Sequence, residues 1–319
     1  MLKRIFAACA LTAALAFPVA ALAAPAEIMV PAGPGGGYDT TARIVMDGLQ
    51  KTGIFTDGAN ITNKVGGGGM VGLAEFFSQN QGNDNGLFSM GVILVGAVHT
   101  TGSPITLKQL TPIARITSEY DTVAVAADSP IKTPQDFVAA LKKDPGAFAV
   151  SGGSAGGVDQ IILGLIAKTQ DIPLDKLNYI PAASGAETAT LLAGGKISGA
   201  ISGISEFKPL ADAGKIRLIA VTSDERVPGI DVPTLKESGI DVVAANWRGL
   251  MGAPGMSEEG RKAWVDRLTK LTATPEWAEI LQSKGLEGAY LGGDEYAKFL
   301  DDEDARIVPV LTDLGLVQN

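Results

Sequence analysis

The sequence of 319 residues contains one cysteine, Cys9, and one histidine, His99. A single thiol cannot form an intramolecular disulfide, so the fold must be held together by its packed core. Structural zinc sites need several cysteine or histidine ligands, and His99 has no second histidine at ligand spacing. We therefore expect no metal or other cofactor, and we interpret His99 as an ordinary loop residue.

Positive charge is also scarce, since 26 lysine and arginine residues stand against 35 aspartate and glutamate residues, for a net charge of −9. We expect no nucleic-acid partner, because such partners are recognised by a basic surface. An acidic protein can still bind a small anion where the donors are local and fixed. Beyond the N-terminal segment, no apolar run reaches the ~18 residues that suggest a membrane span.

The N-terminal segment has its own pattern. Lys3 and Arg4 supply positive charge, residues 5–17 form an apolar stretch that includes Cys9, and residues 21–23 are small enough for a cleavage site. This arrangement is typical of a secretory signal peptide, and its apolar stretch is shorter than a spanning helix. We expect residues 1–23 to be cleaved, which would leave a soluble periplasmic protein without a thiol.

The rest of the chain repeats a short apolar strand, a glycine-rich turn and an amphipathic helix. This alternation predicts an α/β fold with two mostly parallel, doubly wound sheets. The length suits two lobes. We expect a discontinuous lobe 1 of residues 24–127 and 248–319, and a lobe 2 of residues 128–247. The crossings, near residues 125–130 and 243–250, would form a two-segment hinge.

Local signals predict individual elements. Residues 87–94 form an apolar run that is typical of a buried strand. Thr133 followed by Pro134 predicts a helix that begins with Thr133 as its N-cap and Pro134 at its first position. Gly53 is placed to end the first helix of the chain.

Two glycine-rich turns, at residues 33–38 and 152–157, each connect a predicted strand to a predicted helix start. Such a turn presents unpaired backbone N–H groups beside the positive end of the helix dipole, which favours a phosphate or a carboxylate. Turns of this kind gather at one edge of an open α/β sheet, so these two could face each other across a cleft. The alternative is that the glycines only permit tight turns.

Neither turn matches a nucleotide-binding pattern, because Tyr38 and Thr40 stand where the dinucleotide fingerprint requires glycine, and no P-loop lysine follows. Residues 152–156 do read G-x-S-x-G, which makes Ser154 a candidate hydrolase nucleophile. In that fold the histidine follows the serine, whereas His99 precedes it. We therefore expect a binding protein and not an enzyme, with a secreted serine hydrolase as the weaker alternative.

Two charged side chains near these features each have two interpretations. Asp39 can cap the first helix, or it can contact a cation or a hydroxyl group of a ligand. Arg248 lies near the second predicted crossing, where it can form a structural ion pair or bind a ligand carboxylate. The residues alone leave both pairs of alternatives open.

A series of motifs resembles one known family. The motifs are PAGPGGGYD at residues 31–39, GGGG at 66–69, TPQDF at 133–137, SGGSAGG at 151–157, IAVTS at 219–223, VPT at 232–234 and WRG at 247–249. In their order and spacing they resemble the periplasmic substrate-binding proteins of tripartite tricarboxylate transporters, also called Bug-type or TctC receptors. The resemblance implies a type II periplasmic-binding fold that closes over a carboxylate and delivers it to a large and a small membrane subunit.

Carried over by position, the family's two-loop carboxylate clamp falls on the two glycine turns, and residues 183–185 add a third turn. Ser202, Ser205 and Arg248 are placed to contact the distal end of the ligand. The resemblance implies the turn residues, and Ser202, Ser205 and Arg248 are added from their position in the chain. The expected ligand-binding set is therefore Gly35, Gly36, Gly37, Tyr38, Asp39, Ser154, Ala155, Gly156, Gly157, Ala183, Ser184, Gly185, Ser202, Ser205 and Arg248.

The expected function is that of a monomeric receptor for a citrate-like di- or tricarboxylate. Backbone recognition of one carboxylate is equally compatible with an aromatic carboxylate or an acidic amino acid. A sensory role, in which the closed form docks to a signalling partner instead of a transporter, is a further alternative.

Overall fold

The computed structural model describes residues 24–153, 155–182, 185–284 and 286–317, without the side chains of residues 185 and 186. The predicted signal peptide, residues 1–23, lies outside the described residues. Within them, the strands form two sheets, and each sheet is the centre of one lobe.

The sheet of lobe 1 is mixed. Its strands are β1 (Ala26–Val30), β2 (Ala59–Asn63), β3 (Gly86–Gly91), β4 (Thr111–Ser118), β10 (Arg248–Gly252) and β11 (Glu287–Gly292). Their order across the sheet is β11-β4-β10-β3-β1-β2. Strands β2, β1 and β3 pair in parallel, while β10 pairs antiparallel with β3 and β4, and β11 pairs antiparallel with β4.

The sheet of lobe 2 is also mixed, with parallel and antiparallel strand pairs. Its strands are β5 (Asp121–Ala126), β6 (Val150–Gly152), β7 (Tyr179–Pro181), β8 (Gly199–Gly203) and β9 (Ile216–Val221). They follow the order β7-β6-β8-β5-β9, in which β7, β6 and β8 pair in parallel and β5 is antiparallel to both neighbours. Most strands of each sheet therefore share one direction, as predicted, and β5, β10 and β11 run opposite to it.

Helices pack on both faces of the sheet of lobe 1. The helices of the described residues are α1 (Gly37–Lys51), α2 (Met70–Gln79), α3 (Val92–Thr100), α4 (Pro134–Lys143), α5 (Val158–Thr169), α6 (Gly185–Ala193), α7 (Ile204–Asp212), α8 (Glu258–Thr272), α9 (Pro275–Lys284) and α10 (Gly293–Asp313). One apolar core joins α1, α8 and α9 to the sheet. A second core joins α2, α3 and α10 and continues into lobe 2 through α5, so α10 bridges the lobes.

The first crossing between the lobes lies at Glu119 and Tyr120, between the end of β4 and the start of β5. The predicted position near residues 125–130 is wrong, because β5 pairs with β8 and β9 inside the sheet of lobe 2. Lobe 2 therefore begins near residue 121 and not at residue 128. An apolar run shows that a strand is buried, but not which sheet it joins.

The second crossing runs beside the first. Glu119 and Asn246 exchange two backbone hydrogen bonds, of 3.2 Å and 2.7 Å, and Tyr120 pairs with Ala245 in an antiparallel bridge. Because β10 begins at Arg248, this crossing lies inside the range that the sequence predicts. The two segments together form a short antiparallel ribbon between the lobes.

The apolar run at residues 87–94 is not one strand. Strand β3 ends at Gly91, and helix α3 begins at Val92. Strand β3 is fully buried and most of α3 is buried, so neither shows the alternation that would separate a strand from a helix. His99 consequently lies in the last turn of α3 and not in a loop. Its Nε2 is 2.6 Å from Oδ1 of Asp304.

The start of α4 agrees with the prediction. Thr133 is the N-cap, its hydroxyl accepts the N–H of Asp136, and Pro134 occupies the first turn. The reciprocal bond from the Thr133 N–H to the Asp136 carboxylate completes a capping box.

The turn before α1 is fixed by Asp39, which is buried in the first turn of the helix. The predicted helix cap is wrong, because Gly36 is the N-cap and no side chain caps it. Its carboxylate accepts hydrogen bonds from the N–H of Gly35 at 2.8 Å, from Nε of Arg43 at 2.8 Å and from Nδ2 of Asn63 at 3.0 Å. The hydrogen bond from Arg43, with those from Gly35 and Asn63, lowers the pKa of Asp39 to about 2. Asp39 thus holds the glycine turn from behind.

A buried carboxylate ties the hinge to the tail helix. Glu303 of α10 accepts the indole N–H of Trp247 at 2.8 Å, and its other oxygen accepts two hydrogen bonds from Arg306. Trp247, in the second hinge segment, also packs edge-on against Tyr296 and Phe299 of α10. The hinge therefore rests on the helix that bridges both lobes.

None of the helices in the described part of the chain combines the length and the apolar character that a membrane span requires.

Replacing Glu303 by glutamine should destabilise the protein. A glutamine amide offers only one acceptor oxygen, so an N–H group would face either Trp247 or Arg306, both of which donate. We expect the free energy of unfolding to fall by about 2 kcal/mol, measured by urea denaturation. The matched control is Asp302→Asn, one residue earlier in α10, whose exposed carboxylate pairs with Lys298; equal losses in both variants would contradict the buried role.

Replacing Asp39 by asparagine should reduce stability in a pH-dependent way. Because its folded pKa, about 2, lies below the ordinary 3.8, the carboxylate stabilises the fold above pH ~4 and loses this contribution as the pH falls toward ~2. The difference in unfolding free energy between wild type and Asp39→Asn should therefore shrink between these pH values in urea titrations. Asp47→Asn, in the exposed pair with Lys51 on the same helix, should cost less than ~0.5 kcal/mol at pH ~7.

Candidate functional site

A cleft of about 630 Å³ lies between the lobes. Its walls come from the first turn of α1, the first turn of α5, the start of α7 and the two hinge segments. The glycine turns predicted to bind an anion therefore do face each other across one cavity.

The wall from lobe 1 is formed by Gly35, Gly36 and Gly37. The N–H of Gly35 is occupied by Asp39, and the N–H of Gly36 bonds to the carbonyl of Gly33 at 3.2 Å. The N–H groups of the first turn of α1 have no acceptor within the helix and lie at the positive end of its dipole. This end of α1 is suited to one carboxylate group.

The wall from lobe 2 repeats this geometry at the start of α5, where Gly153, Gly157 and Val158 line the cleft. The N–H of Gly153 donates to Oδ2 of Asp159, and the N–H of Gly156 donates to Oε1 of Gln160 at 2.7 Å. These side chains hold the turn and leave the N–H groups of the first turn of α5 as the donors beside the cleft.

Arg248 stands between the two walls at the start of β10. Its guanidinium lies against Gly37, so closely that a Cβ on Gly37 would come within 2.3 Å of Nε. Its Nη2 is 3.6 Å from Oε2 of Glu119, and its side chain is 11% exposed. Arg248 therefore pairs with Glu119 at the hinge, as one of its two interpretations expects, and its guanidinium also borders the cleft. Its contact with a ligand carboxylate stays a prediction.

The rest of the cleft contains several carboxyl groups. Glu119, Asp159 and Glu206 line it, and Asp121 is buried behind them. Oε1 of Glu119 accepts hydrogen bonds from the N–H and the hydroxyl of Ser205, and Glu206 accepts one from Ser202. We call Glu119, Asp121, Asp159 and Glu206 the acidic group.

Two members of the acidic group, Asp121 and Asp159, interact directly. Burial raises the pKa of Asp121 well above its usual range, and the nearby Asp159 adds to the rise. Burial also raises the pKa of Asp159 to about 7, although hydrogen bonds from Gly153 and Asp121 favour its ionised form. Because two adjacent carboxylates repel each other, the pair favours a state in which Asp121 keeps a proton and donates it to Asp159.

Seven of the predicted residues come together in the cleft. They are Gly35, Gly36, Gly37, Gly157, Ser202, Ser205 and Arg248. Tyr38 and Asp39 lie beneath the turn instead, where the Tyr38 hydroxyl accepts the N–H of Leu94 and Asp39 binds Gly35. Ala155 is exposed, and Gly156 lies near Thr100 of α3.

The remaining predictions concern the other two turns. Gly185 is the first residue of α6. Ser154, Ala183 and Ser184 lie outside the described residues, so their contacts, including any role of Ser154 as a nucleophile, stay predictions.

Sequence reasoning missed the acidic group and Asn246, which also lines the cleft. The available signals were weak. Glu119 and Asp121 flank the first crossing, which was predicted at another place, and Asp159 follows the second glycine turn by two residues. No group of three His, Cys, Asp or Glu side chains in the described ranges has the arrangement to hold a metal ion.

Comparison with known proteins shows the family of this chain. Residues 41–316 match the tripartite tricarboxylate transporter family receptor. A relative from Cupriavidus necator, named UPF0065 protein in gbd 5'region, is 26% identical over 300 residues, which is 92% of this chain and 88% of the relative.

Solved structures share the fold. A TctC solute binding protein from Polaromonas, without ligand, is 26% identical with a TM-score of 0.78, covering 92% of this chain and 99% of the other. A Rhodopseudomonas palustris protein with adipate is 20% identical with a TM-score of 0.74, covering 92% and 98%. The predicted two-lobed type II periplasmic-binding fold is therefore confirmed. The chain belongs to the tripartite tricarboxylate transporter family receptors, which are periplasmic solute-binding proteins.

Proposed function

We propose that this protein binds a small organic carboxylate between its lobes and delivers it to the membrane subunits of a tripartite transporter. The observation that carries the proposal is the convergence of two helix N-termini and one guanidinium on a single cleft. In this proposal a carboxylate accepts hydrogen bonds from the first turns of α1 and α5, with Arg248 as the nearest cation. The cleaved signal peptide, the monomeric state and the two membrane subunits belong to the same proposal.

The energetics suit reversible capture. A hydrogen bond to a charged group contributes about 1.5–3 kcal/mol, so four such bonds, after binding and desolvation costs, are compatible with the ~8 kcal/mol of a micromolar ligand. Because the donors come from both lobes, the ligand would stabilise the arrangement in which the lobes are close. Differential affinity of this kind is what allows a ligand to shift a hinge equilibrium.

The size of the ligand is limited by the cleft. Its volume of about 630 Å³ accommodates a short chain with two polar ends. The adipate bound to the Rhodopseudomonas palustris relative is a ligand of that size. We therefore favour a small carboxylate, with citrate-like acids as one class to be tested beside dicarboxylates, aromatic acids and acidic amino acids.

A thermal-shift screen tests the proposal. The protein is unfolded, refolded without ligand, and heated with a panel of mono-, di- and tricarboxylates, aromatic acids and amino acids. A ligand that binds only the folded state raises the melting temperature by mass action. We expect a concentration-dependent rise for one carboxylate class; no rise with any carboxylate, at millimolar concentration, would contradict the proposed function.

The substitution Gly37→Ala tests the position of the carboxylate. The new Cβ would occupy the place of the Arg248 guanidinium, so Arg248 must move away from the N-terminus of α1. We expect at least a ~10-fold loss of affinity, equivalent to ~1.4 kcal/mol, in titration calorimetry. Gly146→Ala, in a turn of lobe 2 where the nearest atom lies 3.8 Å from the new Cβ, is the matched control and should bind like the wild type.

A further inference from the structure

The acidic group gives the cleft a charge that a plain polycarboxylate does not match. Glu119 has a side chain that is 13% exposed, and Asp159 is 7% exposed, so both carboxyl groups are largely shielded from solvent. Glu206 lies at the more exposed mouth of the cleft, as does Lys284. Arg248 is the cation that lies among the buried members.

A second observation concerns the deepest member, Asp121, which is 1% exposed. Among the described residues, no donor group reaches its Oδ2 atom. The charged groups around it are Asp159, Glu119, Arg248 and Glu206, all of which line the cleft. A buried polar atom without a donor is costly, so the carboxyl group of Asp121 lies behind the cleft wall without a full set of compensating hydrogen bonds.

Charge balance indicates which kind of ligand group suits this side of the cleft. With a proton on Asp121, the acidic group carries up to three negative charges, against one positive charge on Arg248 inside the cleft and one on Lys284 at its exposed mouth. A dicarboxylate would place its second negative charge beside these groups in a poorly solvated space, where like charges repel strongly. An ammonium group would instead neutralise part of the charge and supply donors.

We propose that the acidic group is a cation subsite and that the ligand is a carboxylate that also carries an ammonium group. The carboxylate binds at the first turns of α1 and α5, as in the proposed function on which this inference rests. The ammonium group lies toward Asp159, Glu119 and Glu206 and donates to their carboxylates. The acidic group thereby selects amino carboxylates against unsubstituted di- and tricarboxylates.

The test compares compounds of equal chain length by titration calorimetry. For chains of four to six carbons, the unsubstituted dicarboxylate is compared with its 2-hydroxy and 2-amino derivatives and with the ω-amino monocarboxylate; for five carbons these are glutarate, 2-hydroxyglutarate, glutamate and 5-aminopentanoate. We expect an ammonium-bearing compound to bind at least ~10-fold more tightly than both compounds without nitrogen. A dicarboxylate or a hydroxy acid that binds as tightly as every amino compound of its length would overturn the proposal.

Variants locate the subsite. Glu206→Gln removes a charge at the exposed mouth, where folding is least affected, and Asp159→Asn removes one deeper in the cleft. Each should weaken the amino carboxylate at least ~5-fold and leave the affinity for the dicarboxylate unchanged or higher. Glu225→Gln, on the exposed surface of lobe 2, is the matched control and should change neither. Equal weakening of both ligands in Glu206→Gln and Asp159→Asn would contradict a cation subsite.

Proton exchange gives an independent readout. Asp159 faces Asp121, Glu119, Glu206 and Tyr179, as well as the Gly153 N–H, and burial raises its pKa to about 7. A bound ammonium group favours the ionised pair, so binding at pH ~7 should release protons, seen as a buffer-dependent heat in calorimetry. Proton uptake would overturn the proposal.

The two levels of proposal fail in different ways. If no carboxylate of any kind binds, the receptor function itself is wrong. If dicarboxylates bind and amino carboxylates do not, only the cation subsite is wrong. If binding of the amino carboxylate requires added Ca²⁺, the acidic group belongs to a metal ion and the subsite proposal is overturned.

Discussion

The pairing of the two hinge segments is the constraint on which the site depends. Glu119 and Asn246 exchange backbone hydrogen bonds, and this ribbon fixes where each lobe begins. The same short stretch places the side chains of Glu119, Asn246 and Arg248 in the cleft. Because Glu303 of α10 holds Trp247 of the second segment, the position of the hinge is coupled to the helix that packs on both lobes. The geometry of the charges therefore follows from the backbone that connects the lobes.

An acidic protein that binds an anion must rely on local donors, and this cleft shows how that is arranged. The first turns of α1 and α5 concentrate N–H groups at two points, while Arg248 is the cation held among the buried carboxyl groups. The acidic group places negative charge in the same cleft, close to these N–H groups and to Arg248. A site with opposite charges at its two ends favours ligands with the same polarity, which is a source of selectivity that affinity for one carboxylate alone does not provide.

The parts that could be predicted from the sequence are those whose cause is local. The glycine turns, the Thr133 cap and most helix positions depend on residues within a few positions of each other, and they agree with the structure. The prediction of one strand over residues 87–94 was wrong because β3 is fully buried and α3 mostly buried, which removes the periodicity of the apolar residues. The predicted position of the first crossing was wrong because β5 joins its sheet by pairing with β8 and β9, which lie far along the chain.

By itself, the sequence determined the alternation of strands and helices, the two glycine turns and the family motifs, because each is encoded in contiguous residues. Only the tertiary structure decided that Tyr38 and Asp39 support the turn from behind, and that Arg248 lies against Gly37. It also assembled the acidic group, whose four members come from the first crossing, β5, α5 and α7. Carboxylates so far apart in the chain carry no mutual signal in the sequence. The raised pKa values of Asp121 and Asp159 arise only because folding removes both side chains from water together.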